Sequence, residues 1–493
     1  MGKFTFATQP TLRVLTNSEI ETIHEKALYI LAHTGVKFDS EDALQILRNH
    51  GADVDFHKQI AKIPPQMVTD ALNAVPEALQ LYDREGQPAV SLGGNKAHFD
   101  PGSAPMQFME SDGITVRPAR AQDLVNIAKV NDALANIALQ STAVVLSDVP
   151  QEIGDSYRLY LLLKNSPKPV ISGAFSVAGI SHMREMLAAI RGGYDEVQRK
   201  PLVVFDICPS PPLKWTHISA QNIIDCAKFG LPLETVSVPM PGAVAPATLA
   251  GCVLLHTAET LSGIVLAQCV NPGTPVIYGG APMYFDMRHS TTSLNSIETN
   301  LISTGYAQMG KYYGMPTHTY AGLSDAKLVD AQAGLESAMS ALAALLAGIN
   351  VISGVGVMEF CNTFSLEKLV IDNEICGMAL RLEKGLNCSE EALALDLICD
   401  LGPGGDFLST EHTLQWFRKE PYLPSRVIDR RSRVNWEAKG APSAFAQAQE
   451  QVRTILAQGQ SRLLNTDRVK DLDAATRRIM TDLDIAALPL GPG

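Results

Sequence analysis

Several familiar signatures are missing from this 493-residue chain, and each absence removes a class of function. Its eight cysteines, Cys208 to Cys399, include no C-x-x-C pair, and no H-x-x-x-H occurs, so a zinc framework and a dithiol redox motif are both unsupported. Most of these thiols lie in apolar surroundings, as reduced core cysteines of a cytoplasmic protein do. A Walker sequence is lacking, and Gly354-Val355-Gly356 has no third glycine at the dinucleotide-fingerprint spacing. Serines, histidines and aspartates occur without a G-x-S-x-G elbow. Positive charge is also short: 40 Lys and Arg against 52 Asp and Glu give a formal net charge of −12, which argues against nucleic acid or an anionic membrane surface as partner. The opening MGKFTFATQPTLRVLT has no apolar signal core, and Phe6 breaks the myristoylation pattern. The apolar stretch Leu328 to Ala347 carries Asp330, Gln332 and Glu336, so it reads as a buried helix and no membrane span is expected.

What is present is a large core-forming composition, 46% hydrophobic and 19% charged. Thr16 to Glu19 (TNSE) is a capping box opening a helix that stops at Gly35, and a second helix runs from about Ser40 to His50. Pro64 and Pro65 start a third. LQLYDREGQPAVSL then reads as two short strands around a turn. From His98 the pattern changes: strand-like runs begin near His98, Ile137, Pro169, Leu202, Leu233, Pro275, Pro316 and Asn350, with a helical stretch between each pair. Eight strands alternating with helices are what a closed (β/α)8 TIM barrel needs, and this α/β reading outweighs a doubly wound sheet. The chain accordingly divides into a helical preface with a short hairpin (1–92), the barrel (93–385) and a helical, loop-rich C-terminal extension (386–493).

Chemistry in such barrels sits at the carboxyl ends of the strands. The candidate substrate-binding residues there are His98 and Asp100 on the first strand, Phe205 and Asp206 on the fourth, and Tyr284 just after the sixth. His318 and Tyr320 on the seventh and Glu359 and Phe360 on the eighth complete the set. His318 and Tyr320 are one pleat apart, so they share a face, toward either the lumen or the helices. Carboxylates and aromatic rings (Phe99, Phe175 and Tyr278 among the latter) recur, a combination that suits a quaternary ammonium ligand. No lysine falls at a strand end, which disfavours Schiff-base chemistry, and no catalytic residue or metal ligand is assigned. Gly173, Gly242, Gly279, Gly280, Gly322, Gly354 and Gly356 are expected to leave open space. Ser324-Asp325 reads as the N-cap of the helix after strand seven, with Asp330, Ser337 and Ser340 on one helical face.

Three stretches carry a resemblance: SDAKLVDAQAGLES after strand seven, the unit ending GVGVMEF, and the tail GPGGDFLSTEHTLQWFRKEPYLP. Together they resemble the trimethylamine methyltransferase family, over nearly the whole chain. The resemblance implies a TIM barrel that passes a methyl group from an amine to the cobalt of a separate corrinoid protein. Archaeal trimethylamine enzymes carry pyrrolysine, whereas every position here is an ordinary residue, so the resemblance implies a non-pyrrolysine member acting on a quaternary amine. Glycine betaine is the first expectation, with proline betaine or carnitine behind it. The cobalt-ligating D-x-H-x-x-G is missing, since Asp55-Phe56-His57-Lys58-Gln59-Ile60 ends in isoleucine. The chain is therefore expected to bind no corrinoid itself, to dock a corrinoid protein at its mouth, and to form a homo-oligomer. The other expectations are a betaine-sensing barrel without turnover and an unrelated barrel lyase or hydrolase.

Overall fold

The structure, a computed structural model, describes residues 10–103, 105–458 and 464–491. The signal-core and myristoylation readings of the first nine residues lie outside the described residues.

Eight parallel strands form the centre: β1 (His98–Asp100), β2 (Gln140–Ser141), β3 (Val170–Gly173), β4 (Val203–Ile207), β5 (Leu233–Ser237), β6 (Val276–Gly280), β7 (Thr317–Tyr320) and β8 (Val351–Ser353). Each pairs with its neighbour in chain order, and β8 returns to β1 with Ser353 opposite Asp100. The remaining seam, between β1 and β2, is bridged where Ala138 and Leu139 donate their N–H groups to the Phe99 carbonyl at 3.1 and 3.2 Å. This is the expected (β/α)8 barrel. The helices that follow the strands are α1 (Ala121–Asp132), α2 (Gly154–Asn165), α3 (Gly179–Arg191), α4 (His217–Lys228), α5 (Leu249–Val270), α6 (Ile297–Tyr312), α7 (Ala331–Leu346) and α8 (Leu366–Glu383).

Strand parity sorts the side chains. Leu139, Ile171, Val204, Ile277 and Val351 form an apolar layer inside the barrel, capped by Leu79, Leu81, Val90 and Leu92 of the hairpin Leu79–Tyr82/Pro88–Leu92. That hairpin seals the amino end of the barrel. One pleat further along the strands the lumen turns polar, so chemistry is confined to the opposite end.

The three preface helices form, with the Thr16 capping box in place and Pro65 starting the third. Strands Val36–Phe38, Asp53–Asp55 and Ile60–Lys62 add a small sheet that the sequence reading did not include. The three helices pack on α5, which explains why α5 is apolar all round: barrel on one side, preface on the other. Among the described residues α5 is the one helix long and apolar enough to cross a membrane by length and composition, and most of it is buried in this sandwich. In the C-terminal extension, helices Ala444–Gln458 and Thr466–Asp482 pack on α8 and α3. The four short helices between Glu390 and Glu437 bury no residue.

Two local expectations are corrected. The N-cap of α7 is Asp330, whose side chain accepts from the Gln332 N–H at 2.9 Å, not Ser324-Asp325. Glu336 instead takes up both of the latter, accepting from the Ser324 hydroxyl at 2.6 Å and the Asp325 N–H at 2.8 Å. Ser337 and Ser340 are buried on α7 while Asp330 is exposed. The glycines serve backbone packing more than open space. A Cβ on Gly280 would lie 2.5 Å from His256, one on Gly354 2.7 Å from Leu323, and one on Gly356 2.6 Å from Phe364.

Candidate active site

At the open end, β1, β4, β5, β7 and β8 deliver polar side chains into one buried cluster. Ser353 donates its hydroxyl to Asp100 Oδ2 at 2.6 Å, and the Gly102 N–H donates to Asp100 Oδ1 at 2.7 Å. His318 Nε2 lies 3.0 Å from Ser353 Oγ. With Asp100 ionised, that hydroxyl donates to it and accepts from Nε2–H. Burial pushes His318 down to about 3, so the ring is neutral. Its Nδ1 has no partner among the described residues. Gly279 leaves room for the ring, since a Cβ there would come within 3.1 Å of Nδ1.

Tyr320 stands edge-on to His318, ring centroids 5.3 Å apart. Its hydroxyl is 2.8 Å from Ser103 Oγ and reaches Asp206 Oδ2 at 3.5 Å. The other oxygen of Asp206 accepts from the Cys208 thiol at 3.6 Å. Below them lies Glu234, fully buried, with neither carboxyl oxygen bonded among the described residues and with Oε1 3.9 Å from His318 Nε2. Burial, with the neighbouring Asp206 and Asp100 charges, drives Glu234 well above the usual carboxylate range. Burial raises Asp206 to about 6. It raises Asp100 to about 7 despite the Ser353 and Gly102 bonds, with Asp206 adding to the effect. Asp206 and Asp100, which ionise through about 6 and about 7, make the pocket electronegative above a protonated Glu234, and shifts of this kind mark functional sites.

The nine predicted residues separate clearly. Asp100, Asp206, His318 and Tyr320 come together in the lumen. His98 sits at the sealed end, its Nε2 3.2 Å from the Ser91 carbonyl of the hairpin, because it begins β1 rather than ending it. Phe205 has the opposite parity to Asp206 and packs among the helices, as do Phe99 and Tyr278. Tyr284 belongs to an antiparallel hairpin, Tyr284–Asp286 with Thr291–Ser293, that follows β6 and is tied to Asp325 through Ser293. Glu359 and Phe360 lie in the loop after β8, not in the lumen. Glu359 Oε2 accepts from Thr363 at 2.5 Å, and the Phe360 ring already carries the Lys327 ammonium 3.9 Å from its centroid. Of the aromatic rings expected to help hold a cation, Tyr320 lies among the carboxyls and Phe175 folds over Gly173 at their edge. Sequence reading missed Glu234, Ser103 and Ser353. Glu234 was findable, as the one acid inside the apolar run LPLETVSV at lumen parity.

Among the described residues no three His, Cys, Asp or Glu side chains converge to hold a metal ion. Nor does the site hold a thiolate: burial and Asp206 raise Cys208 well above its ordinary value, and burial raises Cys361 to about 12. The class defined by the fold and these residues is a TIM-barrel enzyme with a buried anionic pocket at the carboxyl ends of its strands. Residues 3–483 match the family described as Trimethylamine methyltransferase (MTTB), and the chain belongs to that family of methyltransferases. It is 35% identical over 87% of its length to a glycine betaine methyltransferase of Desulfitobacterium hafniense strain Y51, covering 89% of that protein. It is 34% identical to the trimethylamine methyltransferase MttB of Methanosarcina thermophila, over 94% of this chain and 96% of that one. The monomethylamine methyltransferase MtmB of Methanosarcina barkeri shares the fold at 12% identity, with a TM-score of 0.55 over 97% of this chain and 89% of that one.

Proposed function

We propose that the chain moves a methyl group from a quaternary amine, glycine betaine first and proline betaine or carnitine next, to the cobalt(I) of a separate corrinoid protein. The observation that carries this reading is the pocket in which Asp206 and Asp100 ionise near neutral pH around Tyr320, with Glu234 protonated beneath them. A quaternary ammonium has no N–H to donate, so it is held by charge and by the face of an aromatic ring, which Asp206 and Tyr320 offer together. Transfer needs an acceptor more nucleophilic than the neutral His318 imidazole and the protonated thiols of this pocket. The partner's corrinoid supplies it.

The protein's own work is to bind and aim. The C–N bond is broken in line with attack on the methyl carbon, its electron pair leaves with the nitrogen, and the product is a neutral tertiary amine. No general acid is required. Holding one methyl at the open end of the barrel and excluding water are the contributions left to the side chains. A leaving group that departs neutral also gives a reason why ordinary residues suffice where pyrrolysine-bearing relatives use a special one. The reading places the enzyme in the cytoplasm as a homo-oligomer, which sedimentation of the full chain measures.

The test mixes the chain with a cobalt(I) corrinoid protein and each of the three betaines, following methylcobalt absorbance. Methylation with at least one is expected. Failure with all of them, against a corrinoid protein shown to accept methyl groups chemically, sinks the proposal.

A further inference from the structure

Arg158 lies at the barrel mouth with most of its guanidinium donors unpaired among the described residues. It projects from α2, is 2% exposed, and donates one hydrogen bond, from Nη1 to the Thr142 carbonyl at 3.1 Å just past the end of β2. A guanidinium has five N–H groups to place. Its carbon sits 5.0 Å from the centroid of Phe175, a ring that folds back over Gly173 at the end of β3. Gly173 is paired in register with Asp206, so Arg158 and Phe175 border the anionic pocket.

No carboxylate among the described residues forms an ion pair with Arg158. The nearby Asp155 is already engaged: Oδ2 accepts from the Phe175 N–H and the Ser176 hydroxyl, both at 3.0 Å, and Oδ1 from the Ser156 N–H at 2.7 Å. Tyr320 is the other ionisable group acting on the guanidinium. Burial pushes Arg158 down to about 10, which still leaves it charged at neutral pH. A cation held this deep is unfavourable unless an anion meets it, and the planar fork of arginine matches a carboxylate. Asp206 meets the Tyr320 hydroxyl, and Arg158 borders the same pocket through Phe175 and Gly173, so two opposite poles flank one site.

We propose that Arg158 binds the carboxylate of a zwitterionic substrate whose quaternary ammonium lies against Tyr320 and Asp206. This rests on the quaternary-amine reading above and assigns the acid group of those betaines a binding residue. Ionised Asp206 and Asp100 would repel that carboxylate, so the two poles also fix the orientation of the molecule in the pocket.

Isothermal titration calorimetry of the full chain with glycine betaine and with choline tests this, because the two share a trimethylammonium and differ in the carboxylate. The wild type is expected to bind glycine betaine at least about tenfold more tightly than choline. Arg158→Gln is expected to weaken betaine binding roughly 10- to 100-fold and leave choline within about twofold, with Arg158→Lys recovering part of the loss. A merely structural role at Thr142 would move both ligands together, and the ratio within one preparation is insensitive to partial unfolding. Equal affinity for betaine and choline in the wild type, or an unchanged preference in Arg158→Gln, overturns the inference alone. Absence of binding by any quaternary amine overturns the amine reading together with it.

Discussion

Asp206 is the residue on which the pocket's charge turns. It accepts from Tyr320 on one oxygen and Cys208 on the other, and burial raises it to about 6. Replacing it with asparagine keeps the shape and removes the charge, so affinity for a quaternary amine is expected to fall roughly 10- to 100-fold by calorimetry. Phe360→Ala is expected to change that affinity less than about twofold, since Lys327 already covers the ring at 3.9 Å and two cations do not share one face. The pH dependence follows from the permanent charge of the ligand: whatever titrates belongs to the protein. Asp206 and Asp100 shed protons through about 6 and about 7, while His318 at about 3 stays neutral and Glu234, Tyr320 and Cys208 stay protonated. Affinity is therefore expected to rise as pH increases through this window and then level, with the rise diminished in Asp206→Asn. Stability of the free protein runs the other way. Carboxyls whose folded values lie above their unfolded ones hold protons only in the fold, so stability is full below the ordinary carboxylate range and falls as pH rises to about 7. Thermal melts without ligand measure this, and flat melting temperatures from pH 5 to 7.5 would contradict the burial argument.

The elements were legible in the sequence wherever a local rule decides them. Parallel barrel strands are buried on both faces and read as continuous apolar runs, so β1 and β5 begin at the expected residues and most of the others within one. Thr16 and Pro65 announce their helices by capping chemistry that is complete within a few residues. The site was less legible because parity and depth decide it. Asp206 and Phe205 are neighbours in the sequence, yet one faces the lumen and the other the helices. His98 and Asp100 share a face and lie at opposite depths, one against the sealing hairpin and one among the polar side chains. Backbone strain was also invisible: Glu359, Phe360 and Cys361 take φ of 55, 59 and 66° in succession, a left-handed turn no residue pattern announces. Glycine at position 360 is therefore expected to be more stable than alanine there by about 1 kcal/mol, the reverse of their usual order, in urea unfolding of the two variants. The hairpin makes a separate prediction. Leu81→Ala, in the layer that closes the amino end, is expected to lose about 2–5 kcal/mol of stability with no change in betaine affinity. An altered affinity would mean that the two ends of the barrel are coupled.

Across the whole molecule one hydrophobic core runs from Ile20 in the preface through the barrel to Met480 in the last helix, so the preface and extension buttress a rigid cylinder. Rigidity at the strands and polarity at one end are what an aiming device needs, because a methyl carbon misplaced by an ångström does not meet its acceptor. Burial of Asp100, Glu234 and Tyr320 is tolerated because the surrounding apolar layers fix their geometry. The measurement that decides between an aiming enzyme and a binding barrel uses glycine betaine labelled with carbon-13 in its methyl groups and a cobalt(I) corrinoid protein. Product analysis is by mass spectrometry. One labelled methyl on the corrinoid for each dimethylglycine released is the expected result. Intact betaine bound in the pocket, with no label on the corrinoid and no tertiary amine formed, would contradict it.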